Sequence, residues 1–171
     1  MGVYEKHGGT DEWYTPRYVF DALGEEFDLD VACPAEGPRH TPAKRFFSEG
    51  ALDRDWEGFV WMNPPFGHQA SKRLWLFAFF HHGNGIALLP DRTSAPWWQE
   101  FAPWADAVLF VAPKIKFERP DGTRGEQPGT GTTLFAAGPR AKSALLRASS
   151  LGRAFVPIEK DDHNASTASR L

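Results

Sequence analysis

GFVWMNPPFGHQASKRLWLFAFFHHGNGIALLP, residues 58–90, decides the fold. Residues 58–62, GFVWM, form an apolar run that stops at Asn63-Pro64-Pro65-Phe66, where two prolines fix φ and remove two backbone donors. Residues 68–83, HQASKRLWLFAFFHHG, read as a buried helix closed by Gly83. Residues 85–90, GIALLP, form a second apolar strand. Two strands with no polar alternation, joined by a helix, indicate a parallel sheet covered by helices.

The same alternation extends in both directions. Thr15-Pro16 reads as a helix start, with the hydroxyl at the N-cap and proline at the first helical position. A helix over 16–26 then buries Val19, Phe20 and Leu23, and FDLDVAC (27–33) is a strand. Residues 34–45 are Pro-rich and loop-like, with room for a short helix, and RFF (45–47) is a very short strand. SAPWWQEFAPWA (94–105) is a helix broken near Pro103, and DAVLFVAP (106–113) is a strand. KIKF (114–117) and TTLFAAG (132–138) flank the insert ERPDGTRGEQPGTG, which is too rich in Gly and Pro for a crossover helix. A long antiparallel hairpin at the sheet edge is expected there. PRAKSALLRASS (139–150) is a helix and GRAFVPI (152–158) a last strand. The expectation is one α/β domain over 1–158, with a mostly parallel sheet and an antiparallel C-terminal hairpin. The polar segment 159–171 is expected to be a disordered tail.

At 171 residues and 19.1 kDa, 42% hydrophobic and 24% charged, the chain has the makeup of one globular domain rather than of a disordered protein. It has no apolar run long enough to span a bilayer, and MGVYEKHGGTDEW has no signal-peptide core, so no membrane partner is expected. A single cysteine excludes an internal disulfide and a Cys-rich zinc site, which fits a reducing, cytoplasmic setting. The six histidines show no ligand spacing with carboxylates, so no metal site is expected. The net charge of −3 is unevenly spread: residues 1–37 carry −7 and residues 112–153 carry +5. A polyanion would therefore be held by a local patch on the C-terminal half.

Asn63-Pro64-Pro65-Phe66 is the most informative tetrapeptide. Its carbonyls cannot enter a helix ladder and point rigidly outward, the asparagine adds an amide, and Phe66 adds a flat ring. This set suits an amino group lying in the plane of a ring stacked on Phe66. Two acceptors on its hydrogens push such an amine toward tetrahedral geometry and raise its lone pair for attack. A plain strand-to-helix turn is the other reading these residues leave open.

NPPF also matches the Asp/Asn/Ser-Pro-Pro-aromatic motif of amino-group methyltransferases that use S-adenosylmethionine. DEWYTP (11–16), LDVAC (29–33), ALDRDW (51–56), LLPDRT (88–93) and KIKF (114–117) accompany it in order. Over roughly residues 11–138 the chain thereby resembles the phage-type, Dam-like DNA N6-adenine methyltransferases. The resemblance implies a Rossmann-like methyltransferase fold, S-adenosylmethionine as cofactor and DNA as partner, and it leaves the oligomeric state open. Asn63, Pro64, Pro65 and Phe66 would be catalytic. Asp30 would face the cofactor's ammonium, Ala32 would leave room for its chain, and Trp13, Tyr14, Thr15 and Pro16 would receive its carboxylate at a helix N-terminus. Glu49, Asp53 and Asp55 are the candidates for the cofactor's nucleoside, Asp53 being favoured. Two positions depart from the family pattern: Pro34-Ala35-Glu36 stand where glycines are expected, and Gly50 stands where an acid is.

On the substrate side, Arg92 and Thr93 would touch a phosphate or brace the NPPF turn, and Phe117 would close the other face of a flipped base. Arg119, Arg124 and Gln127 on the insert would meet DNA, joined by Arg39, Lys44 and Arg45. Two other functions stay open. One is methyl transfer to another planar amine or amide, in RNA or on protein glutamine; the other is a non-catalytic nucleic-acid-binding module without cofactor.

Overall fold

The computed structural model describes residues 13–65, 69–126 and 129–158. The expectations for Phe66, Gln127 and the tail 159–171 lie outside the described residues.

The elements in chain order are α1 (Arg17–Leu23), β1 (Phe27–Asp30), β2 (Ala43–Phe46), a 3-10 turn (Ala51–Asp53), β3 (Val60–Met62), α2 (Gln69–His82) and β4 (Gly85–Pro90). There follow α3 (Pro96–Phe101), a second 3-10 turn (Ala102–Trp104), β5 (Ala107–Val111), β6 (Thr132–Ala137), α4 (Pro139–Arg147) and β7 (Gly152–Phe155). The strands form one seven-stranded sheet in the order β2-β1-β3-β4-β6-β5-β7. The pairs β2-β1, β1-β3 and β3-β4 are parallel, while β4-β6, β6-β5 and β5-β7 are antiparallel.

Burial alternates with the pleat. Trp61, Ile86, Leu88, Leu134 and Ala136 join Val19, Phe20 and Leu145 in one core, beneath α1 and α4. Val60, Met62, Ala87, Leu89 and Phe135 join Leu76, Phe79, Trp97 and Phe101 in the other, beneath α2 and α3. Because both faces are covered at the centre of the sheet, β3 and β4 read as unbroken apolar runs rather than as alternating ones.

Four expectations are corrected. KIKF (114–117) is no strand, and the antiparallel partners of β6 are β4 and β5. All six β6 residues are buried, as a strand covered on both faces and paired on both edges requires, so β6 is interior and β7 is the antiparallel edge. Helix α1 is capped by Pro16, not by Thr15, and ends at Gly24 with φ +63°. Residues 31–42 hold turns and no helix. Finally, α2 is only half buried: Leu76 and Phe79 enter the core, while Leu74 and Phe77 are 61% and 57% exposed.

Candidate active site

Parallel pairing brings the carboxyl ends of β1, β3 and β4 to one rim, as the sequence suggests. The rim carries Asp30-Val31-Ala32, Asn63-Pro64-Pro65 and Asp91-Arg92-Thr93. Neighbours β2 and β3 leave β1 on opposite sides, so the order of the chain reverses at β1/β3. Ligands of open α/β sheets sit at such a reversal, beyond the strand ends.

A cleft of about 270 Å³ lies there. Its walls come from the turn after β1 (Val31, Ala32, Cys33), the segment after β2 (Ser48 through Asp53), Pro65 and Trp75. Ala32, Asp53 and Pro65 of the expected site are thus brought together. Glu49 and Asp53 both line the cleft, and Asp55 does not. Gly50 has φ +65°, a left-handed conformation in which an acid would be strained, and this is a local reason for glycine at that position. Trp56 pins the 3-10 turn by donating from Nε1 to the Ala51 carbonyl at 2.8 Å, and its ring lies 6.3 Å from that of Trp75. Sequence reasoning missed Trp75. The available signal was its place beside the buried Lys72/Leu76/Phe79 stripe of α2, at the helix border that faces the rim.

Asp30 ends β1 and is 3% exposed. Its Oδ1 accepts from the Ala32 N–H at 3.2 Å. Burial pushes its carboxyl up to about 7, against the lowering effect of that bond and of one from the Thr41 hydroxyl. A carboxylate so poorly hydrated is a strong partner for a cation that enters the rim.

Asn63 follows β3 directly. Its Nδ2 donates to Thr15 Oγ1 at 3.2 Å, which fixes the amide's orientation and directs Oδ1 away from Thr15. The Thr15 hydroxyl therefore serves the Asn63 turn and makes no cap bond to α1. Pro16 is buried beside it.

Trp13 and Tyr14 stand apart from the cleft. Tyr14, 5% exposed, exchanges backbone bonds with Glu118: N–H to carbonyl at 2.9 Å, and the reverse at 3.0 Å. The Trp13 ring lies 5.4 Å from the Arg119 guanidinium. Gly125 packs so close to that ring that a Cβ there would fall 2.7 Å from it. Residues 117–125 form a tight hairpin: Arg119 N–H donates to the Thr123 carbonyl at 2.8 Å, and Arg119 Nη1 to the Arg124 carbonyl at 3.0 Å. Arg119 and Arg124 are exposed on it. Phe117 is 8% exposed within the core, so it offers no open face to a base in this conformation. Arg92 is exposed at the rim, and its carbonyl accepts from Ala95 just before α3. The three basic residues of the 34–45 segment are engaged within the molecule. Arg39 bonds the hairpin, Lys44 pairs with Asp28 at 2.8 Å, and Arg45 pairs with Glu57 at 3.1 Å.

Residues 4–139 match the family model described as DNA N-6-adenine-methyltransferase (Dam). The chain belongs to that family. No curated protein and no solved structure matches it. Every candidate residue from Trp13 to Arg124 lies inside the matched stretch of this Dam-family chain. Membership supports a DNA methyltransferase and implies S-adenosylmethionine as methyl donor and DNA as substrate. A second depression of this Dam-family chain, about 280 Å³, is lined by Trp98, Pro103, Phe110, Phe155 and Ile158 and carries almost no polar group to orient a reactant. Among the described residues no group of three His, Cys, Asp or Glu side chains gathers as a metal site, and no helix is long and apolar enough to cross a membrane.

Proposed function

We propose that this Dam-family chain transfers a methyl group from S-adenosylmethionine to the exocyclic N6 amine of adenine in DNA, on a Rossmann-like sheet. The observation that carries the reading is Pro65. It stands in the wall of the cleft beyond β1, two residues from an asparagine whose amide is locked by Thr15. On this reading the methyl-donor site and the amine-acceptor site share one turn. The chain reversal at β1/β3 supports the Rossmann-like reading.

The cleft's chemistry fits the cofactor. Asp30 is buried directly behind the wall residues Val31 and Ala32, where its carboxylate suits the ammonium, and Glu49 or Asp53 in the wall suits the ribose hydroxyls. When bound, S-adenosylmethionine supplies an electrophilic methyl on a sulfonium. Asn63 Oδ1 and the Pro64 carbonyl accept from the target amine, which turns its lone pair toward the cleft. Phe66 stacks on the base. A base within a duplex cannot reach this turn, so it is flipped out or taken from a single strand. The work of the protein is orientation and electrostatics; the amine proton becomes acidic once the methyl is attached, so no general base of special pKa is needed.

Tritiated methyl transfer to DNA, RNA and protein tests the reading, with nucleoside analysis of the product. The expected result is N6-methyladenine in DNA. Label only in RNA or protein, or a chain that binds no cofactor by calorimetry, overturns it.

Two further outcomes follow from the site. Glu49→Gln and Asp53→Asn should each be assayed by calorimetry. The residue that grips the ribose should lose about tenfold in cofactor affinity, the worth of a charge-assisted hydrogen bond. The other should change little. If neither changes affinity, the nucleoside end lies elsewhere. DNA should be held mainly through phosphates by the exposed Arg119 and Arg124, since the described residues offer one short hairpin for reading bases. Binding should fall steeply with salt, by about one unit of log–log slope for each phosphate neutralised. Methylome sequencing of treated DNA should show a relaxed or two-to-four-base motif. A strict motif of six or more base pairs contradicts this.

A further inference from the structure

Arg39 lies between β1 and β2, and three segments meet at its guanidinium. Nη1 donates to the Arg119 carbonyl at 2.8 Å, and Nη2 donates to the Pro120 carbonyl. The guanidinium sits 4.2 Å from the centre of the Tyr14 ring. The next residue, His40, reaches the same hairpin through Nε2 to Glu118 Oε2, 2.7 Å apart. Glu118 is paired through its backbone with Tyr14. Thr15, which follows Tyr14, accepts the amide hydrogen of Asn63. The path from Arg39 to Asn63 is thus a continuous series of short contacts.

The sequence suggests a DNA phosphate as the partner of Arg39. Its geometry argues otherwise. A guanidinium presents five N–H donors in a planar fork. Here each terminal nitrogen gives one bond to a neutral carbonyl of one hairpin, and one face is covered by an aromatic ring. The residue is half-buried, unlike Arg119 and Arg124. The two carbonyls belong to the hairpin and the ring to Tyr14, so the guanidinium ties one segment to the other.

We infer that Arg39 is a positioning residue. It clamps the hairpin 117–125 onto Tyr14 and thereby holds Thr15, and through it the Asn63 amide, in register. It does not grip DNA itself. The inference rests on the reading of Asn63 as the acceptor of the target amine.

Arg39→Ala and Arg39→Lys in the full chain test it by three measurements: amide exchange over 117–125 and 13–15, steady-state methyl transfer, and the salt dependence of DNA binding. Arg39→Ala should speed exchange in both segments roughly tenfold or more, since two charge-assisted bonds are lost. It should lower kcat about tenfold through the Asn63 turn, while cofactor affinity and salt slope stay as in the wild type. Arg39→Lys keeps a cation over Tyr14 and one bond but loses the fork, so it should recover part of both effects. Unchanged exchange in the hairpin overturns the inference. So does a salt slope reduced by about one unit with kcat intact, which marks a phosphate contact. Should Arg39→Ala fail to fold, Arg39→Lys is judged on the same readouts. If the wild-type chain moves no methyl to DNA, the proposed function fails, and amide exchange still decides whether Arg39 clamps the hairpin.

Discussion

Asn63→Ala should lower methyl transfer to DNA by about 10²–10³-fold in kcat, the usual loss when one preorganised polar group at a reacting centre is removed. Cofactor affinity should change less than about twofold, because Pro65 and not Asn63 lines the cleft. Folding should survive, since Asn63 is half-buried and, among the described residues, its side chain bonds Thr15 alone. Thr15→Val separates the two parts of the effect. It keeps the asparagine and removes the acceptor that orients it, so it should cost less, on the order of tenfold, the worth of one hydrogen bond. Single-turnover kinetics with saturating cofactor measure both. An Asn63→Ala variant with near-normal turnover would end the case for the NPPF turn as the reacting centre. Equal losses for both variants would mean that orientation is all the asparagine supplies.

The residues legible in the sequence are those whose role is local. The run 58–90 shows its strand, turn, helix and strand because each segment is continuous in the chain and chemically uniform. The three strand ends share a rim because parallel pairing follows from that unit. What the sequence hides depends on partners distant in the chain. Thr15 has the chemistry of an N-cap, and a hydroxyl partner 48 residues away is invisible in its own segment. Arg39 looks like a surface cation until the hairpin 80 residues later occupies its fork. A Gly- and Pro-rich insert before β6 suggests an edge strand. That insert instead carries the chain back between β4 and β5, and the six buried residues of β6 fit only an interior position.

Asp30 should show opposite effects on stability and on binding. Its folded carboxyl is raised to about 7 by burial, well above its value in the unfolded chain. The folded protein therefore binds the proton more tightly. The contribution of Asp30 to stability is greatest below about pH 4 and is lost as pH rises toward 7, at about 1.4 kcal/mol for each tenfold difference in proton affinity between the folded and unfolded chain. Asp30→Asn removes the buried charge, so the cofactor-free variant should melt higher than the wild type at pH 8, with a flatter pH profile between 5 and 8. Cofactor binding should move the other way. If the carboxylate meets the ammonium, affinity should rise as pH climbs through about 7, and Asp30→Asn should weaken binding roughly 10–100-fold at pH 8 and remove that rise. Calorimetry in two buffers of different ionisation enthalpy should also detect release of a proton on binding near pH 7, absent in the variant. The competing role is a brace for the turn after β1, through the Ala32 N–H and the Thr41 hydroxyl. That role predicts a variant that melts lower at every pH and binds cofactor with unchanged pH dependence. A residue that makes the empty protein less stable and the loaded one tighter is maintained for its ligand, and these paired measurements separate that case from a structural acid.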